Sequence, residues 1–128
     1  MRLLLDTHAL LWWGEGNPNI RAAVREEIDS EANSVFVSAV SAMEIAIKHR
    51  LGKLPGAGPL AHDFEGETDA VGFLPLPLTI RHARMAGNLP ISHKDPFDRM
   101  LIAQALLESL TLVSNEALFD AFGVSRLW

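Results

Sequence analysis

Five carboxylates in this chain stand where acids can do chemistry: Asp6, Glu44, Asp95, Asp98 and Glu116. Asp95 and Asp98 lie in the run His93-Lys94-Asp95-Pro96-Phe97-Asp98-Arg99, ahead of residues 100–107, which are almost wholly apolar. Asp95 suits a helix N-cap, and Pro96 suits the first helical position, where its missing N–H costs nothing. Asp98 then falls at the third helical position. Two acids there either cap the helix and oppose its dipole or hold a cation, and this segment alone does not decide between them. Asp6 directly follows an apolar run, Glu44 sits between Met43 and Ile45 in an apolar stretch, and Glu116 comes three residues after Val113. Each has a plain structural role open to it. Asp6 can cap a helix beginning at Thr7, and Glu116 can stabilise the start of its own short helix. Ser41-Ala42-Met43-Glu44 matches a capping box, and Glu44 precedes Lys48 by four residues, the favourable order for a helical ion pair. Converging carboxylates repel one another and need a cation. An all-oxygen set suits Mg²⁺ or Mn²⁺, which complete their shells with water and a substrate phosphate.

The elements that must position these acids alternate between short β-like runs and amphipathic helical stretches. Residues 2–5 read as a buried strand, 7–13 as a helix ended by Gly14-Glu15-Gly16, and Asn17-Pro18 as the opening of a second helix reaching Ile28. That helix carries Ile20, Val24 and Ile28 on one face. Residues 34–37 form a second strand, and a third helix is expected from about Ser38 to Leu51, stopping at Gly52. Residues 60–69 are weakly helical. Residues 73–76 are extended, with Pro75 and Pro77 confining them to a sheet edge. A helix over 79–86, a loop over 87–94, the Asp95 helix, a strand over 111–113, a short helix over 116–122 and a terminal extended segment over 124–127 complete the chain. Strands separated by helices call for a parallel sheet covered on both faces, an α/β sandwich in one domain. In such sheets ligands bind at the carboxyl ends of the strands, which is where Asp6, Glu44, Asp98 and Glu116 fall.

Composition excludes several classes of function. A length of 128 residues suits one domain with a real core, and 48% hydrophobic against 21% charged residues is an ordinary globular balance. The formal net charge of −5 argues against general polyanion binding, so nucleic acid would need a local basic patch or a bound metal. The absence of cysteine removes disulfides, Cys-ligated zinc and thiol catalysis together. No apolar run approaches the ~18 residues of a membrane span, and no signal peptide is evident, so a cytoplasmic protein without membrane contact is expected.

Taken together, these residues resemble the PIN-domain family, specifically the VapC-type toxin ribonucleases of bacterial toxin–antitoxin pairs. Leu3-Leu4-Leu5-Asp6-Thr7-His8 resembles the family's opening strand and first acid, and residues 37–48, with Glu44, its second acid motif. Residues 93–105 resemble a variant of the third motif in which Asp98, rather than Asp95, is the usual acid. Leu112-Val113-Ser114-Asn115-Glu116 resembles the last motif, with Glu116 standing where Asp is usual. The resemblance spans nearly the whole chain and implies a three-layer α/β sandwich over 1–128 that hydrolyses RNA with Mg²⁺ or Mn²⁺. It makes Asp6 and Asp98 direct metal ligands, Glu44 a ligand or water positioner, and Glu116 and Asp95 secondary members. Thr7 and Ser114 hydroxyls would orient the acids. Lys48, His49, Arg50, Lys53 and Arg99 are candidates for the RNA backbone. The implied partners are a second copy of the chain and a cognate antitoxin, whose basic side chain would enter among Asp6, Glu44 and Asp98.

Rival readings have less behind them. A haloacid-dehalogenase-type phosphatase needs a second Asp two residues after the first, where this chain has His8. A receiver domain wants an acid pair before its first helix, and residues 2–5 offer none. A zinc hydrolase needs clustered histidines, and the five here are scattered. A PIN-like fold that only binds RNA or protein, without cleaving, stays open because of Glu116. Finally, Trp12 and Trp13 are adjacent on a helix, about 100° apart. At least one of them is expected at the surface, where with the Ile20, Val24 and Ile28 face it would mark an interface.

Overall fold

The computed structural model describes residues 1–90 and 92–128. Ile91, in the loop expected over 87–94, lies outside the described residues. The elements run β1 (Arg2–Leu5), α1 (Thr7–Glu15), α2 (Ala22–Asp29), β2 (Ser34–Ser38), α3 (Ala39–Arg50), α4 (Gly58–His62), α5 (Phe64–Ala70) and β3 (Leu74–Leu76). After them come α6 (Ile80–Asn88), α7 (Pro96–Glu108), β4 (Thr111–Val113) and β5 (Arg126–Leu127), with 3-10 turns at Pro55–Ala57 and Ala117–Phe122.

The strands form one parallel sheet in the order β3-β2-β1-β4-β5. Strand alternation divides the core in two. Leu3 and Leu5 of β1 join Val35, Val37 and Val113 under α1 and α2, while Leu4 joins Leu112 under α7. All three β1 leucines are fully buried, as a central strand of a doubly covered sheet requires. The expected three-layer α/β architecture is therefore the one observed. Among the described residues no helix is long and apolar enough to cross a membrane.

The order of the sheet matters for the site. From β1 the chain builds outward to β2 and β3, then returns to place β4 and β5 on β1's other side. The carboxyl ends of β1 and β4 thus flank a topological switch point, where open α/β sheets form their ligand crevices.

Local chemistry accounts for most boundaries and for the places where the sequence misleads. Gly16, with φ of 65°, closes α1, and Asn17 N–H reaches back to the Trp12 carbonyl. Asn17 does not open the second helix. Its side chain accepts from the Asn19 amide and its carbonyl from the Ile20 amide, making a separate turn, and α2 begins only at Ala22. Ser38, not Ser41, caps α3, so the Ser41–Glu44 capping box does not form. The weakly helical 60–69 stretch is two helices broken at Asp63, which caps α5 through the Gly66 amide. Pro75 sits in the edge strand β3, as a residue without an N–H must.

Trp12 and Trp13 lie between core and surface, each lining a cleft. Both are half-buried and pack against one core: Trp12 meets His8 and Trp128, while Trp13 meets Phe73 at 4.8 Å and donates its indole N–H to Asp29. Ile20, Val24 and Ile28 are buried beneath them. The two rings diverge as the helical geometry demands, and Trp128, just after β5, and Phe73, just before β3, each cover one of them in part.

Candidate active site

Each acid reaches the crevice by its own local logic. Asp6 continues β1 by one residue, its amide donating to the Val113 carbonyl at 3.0 Å, so the β1–β4 ladder sets its backbone. Its side chain caps α1 by accepting from the Ala9 amide at 2.8 Å. The same placement makes Asp6 a cap and sets its carboxylate at the carboxyl end of β1. Glu44 sits midway along α3. A hydrogen bond of 2.9 Å between the buried Thr7 and Ser41 hydroxyls ties the start of α1 to α3, one turn before Glu44. Asp95 caps α7, accepting from the Phe97 and Asp98 amides, with Pro96 at the first position and Asp98 at the third. Glu116 follows β4 and caps the 3-10 turn through the Leu118 amide at 3.2 Å.

The five acids line one cleft of about 240 Å³ together with His8, Trp12, Lys48 and Asn115. A second cleft of about 300 Å³, between α1 and the α4–α5 segment, is walled mostly by side chains such as Leu10, Leu60 and Phe73. It brings no set of reactive groups together. The chemistry of the molecule is concentrated in the acidic cleft.

Asp6 is the most strained electrostatically. Only 7% exposed, its carboxyl is pushed up to about 6. Desolvation is the main cause, and hydrogen bonds from Ser114 and the Ala9 amide only partly oppose it. The Asp98 carboxyl is also raised, first by desolvation and further by the charges of Asp95 and Glu44, against a hydrogen bond from His93. His93 Nε2 lies 3.0 Å from Asp98 Oδ2, with its ring edge-on to Phe119 and Phe122. Glu44 is neutralised by Lys48, whose Nζ stands 2.5 Å from Oε2.

A partly desolvated, all-carboxylate wall suits a hard divalent cation. Among the described residues, however, no three His, Asp or Glu side chains are gathered closely enough to hold a metal ion as they stand. The reason is visible in their bonds: Asp6, Asp95 and Glu116 face backbone amides, Glu44 faces Lys48, and Asp98 faces His93.

The PIN domain family matches residues 3–124. The chain belongs to the PIN-domain family. PIN domains are in general nucleases. Its fold is similar to VapBC2 from Rickettsia felis, solved bound to a DNA fragment from their promoter, with a TM-score of 0.70 and 15% identity. That match covers 100% of this chain and 99% of the other. FitAcB from Neisseria gonorrhoeae is similar at TM-score 0.69 and 22% identity, covering 98% and 96%. VapBC-1 from nontypeable Haemophilus influenzae follows at 0.66 and 15%, covering 99% and 97%. No protein of curated function matches the chain significantly.

Within this PIN fold, all five acids named from the sequence meet in one cleft, and Ser114 bonds Asp6 as expected. Thr7 does not orient an acid directly, because its hydroxyl is taken by Ser41. Arg99 is not presented to a nucleic-acid backbone. Its guanidinium binds the carbonyls of Ala86, Gly87, Leu89 and His93, pinning the segment that leads into α7. His49 packs against His62, while Arg50 and Lys53 are exposed at the end of α3. Lys48 alone of the five basic candidates lines the acidic cleft. His93 is the residue sequence reasoning passed over. It stands five positions before Asp98, outside helical spacing, and only the turn into α7 brings the two together.

Proposed function

We propose that this PIN domain is a metal-dependent endoribonuclease acting as the toxin of a toxin–antitoxin pair. The observation that carries the reading is the convergence of Asp6, Glu44, Asp98 and Glu116 on one cleft at the switch point of the sheet. In this reading Asp6 and Asp98 hold Mg²⁺ or Mn²⁺, Glu44 is a further ligand or a water positioner, and Glu116 contributes from the rim. Asp95 serves chiefly as the cap that sets the first turn of α7. When bound, the cation would acidify a water and offset charge on the phosphate. The chain's own contribution is geometric and electrostatic. β1 and α1 hold Asp6 in a place where its charge needs a positive partner, and His93 is the hydrogen-bond partner of Asp98. Ser114 holds Asp6 and, through the Glu116 amide at 3.1 Å, the start of the Glu116 turn.

The partners are an RNA substrate, an antitoxin and a second copy of this chain, all in the cytoplasm. The antitoxin reading is supported by the resemblance of the acid motifs to VapC toxins and by the similarity to VapBC and FitAB structures. Incubating purified protein with total RNA and Mn²⁺, then sequencing the new 5′ ends, tests the activity. Discrete cleavage sites that vanish in Asp98→Asn support it. Intact RNA with a folded, Mn²⁺-loaded protein would instead favour a PIN domain that binds without cutting, the alternative suggested by Glu116 in place of Asp.

A further inference from the structure

An exposed Glu–Lys pair one helical turn apart contributes little, but the Glu44–Lys48 pair is not of that kind. The Glu44 side chain is 5% exposed and Lys48 33%, so a nearly desolvated carboxylate has its neutralising partner at the mouth of the cleft. Lys48 is the one Lys or Arg among the described residues that line this cleft, against five carboxylates.

We infer that Lys48 is a built-in counter-ion of the acidic cleft, which a divalent cation must displace from Glu44 before Glu44 can join it. The inference rests on the metal-nuclease reading above and adds a control on it. While Nζ sits on Glu44, that carboxylate is neutralised without metal, and the affinity for metal is correspondingly lower. Once displaced, the ammonium keeps its four-carbon stem on the cleft wall and faces the incoming phosphodiester. One side chain thus opposes the cation and favours the substrate. That pairing of opposite effects distinguishes it from a side chain that merely stabilises α3.

The test compares wild type with Lys48→Met, which keeps the apolar stem, and Lys48→Arg, which keeps the charge. Mn²⁺ binding to the RNA-free proteins is measured by calorimetry, and the rise in melting temperature on adding Mn²⁺ is measured alongside. Lys48→Met should bind Mn²⁺ about tenfold more tightly, as removal of one adjacent positive charge requires, and should gain more thermal stability from it. Lys48→Arg should stay near wild type. In saturating Mn²⁺, Lys48→Met should raise KM for a short RNA several-fold. Lys48→Gln provides the same measurements should the Met variant fold poorly. Equal or weaker Mn²⁺ binding by the uncharged variants overturns the inference while leaving the nuclease reading intact. Failure of wild type and all variants to bind Mn²⁺ overturns both.

Discussion

Asp6 carries the clearest pH signature in the molecule. Its folded pKa of about 6 lies above the ordinary carboxylate value of 3.8. Below 3.8 the group is protonated in both states and costs nothing. As pH rises through this window the unfolded chain ionises first, so stability falls, by roughly 3 kcal/mol in full. Urea titrations of the metal-free protein between pH 4 and 7 should show that loss, and Asp6→Asn should abolish it. Asn keeps the cap on Ala9, so this variant should be at least as stable as wild type near neutrality. It should nonetheless lose nuclease activity, as should Asp98→Asn. Collapse of either fold would refute the assignment. These acids were legible in the sequence because a carboxylate at a strand end or in an apolar helix is conspicuous. Their partners were legible only where spacing is helical: Glu44 and Lys48 show it, while His93 and Asp98 are joined through a non-helical turn.

At the level of elements, α7 is set at its start by two devices that the sequence disclosed unequally. Asp95 is readable as a cap from Asp-Pro alone, and its exposed carboxylate accepts from two amides. Asp95→Asn should keep most activity and stability, whereas Asp95→Ala should lose about 0.5–2 kcal/mol in denaturant titrations. Full inactivity of a well-folded Asp95→Asn would instead make Asp95 a metal ligand. Arg99 was not readable, since a helix-borne arginine gives no sign that four carbonyls wait for it. Arg99→Lys offers a point charge where a planar fork is used. It should cost roughly 2 kcal/mol and speed amide exchange at Leu89 and His93, with loss of activity following from misplacement of His93 and Asp98. The second helix was misread for a related reason. Asn17-Pro18 is a helix-start signal in isolation, but Asn17 is already engaged in closing α1.

For the molecule as a whole, periodicity sufficed for the fold class: apolar β runs alternating with helices allow little but a covered parallel sheet. It did not disclose which surfaces are covered. Trp12 and Trp13 diverge as neighbouring helical residues must, and each is half covered, one by Trp128 and the other by Phe73. The proposed partners are therefore best tested by behaviour. Expression of the chain alone should arrest bacterial growth, Asp98→Asn should not, and co-expression of a small protein encoded beside it should restore growth. Harmless high-level expression of the wild type would remove the toxin reading.

The strand order has one more consequence, which concerns time. β1 is made before the other four strands but is central, and its second neighbour, β4, is made only after α7. Asp6 and Glu44 therefore emerge from the ribosome well before Asp98 and Glu116, and no cleft exists until β4 seats against β1. Because domains fold as units during synthesis, a half-translated chain would carry acids but no cutting site. On the function proposed here, a growing chain that still lacks β4 cannot cut the message from which it is being read.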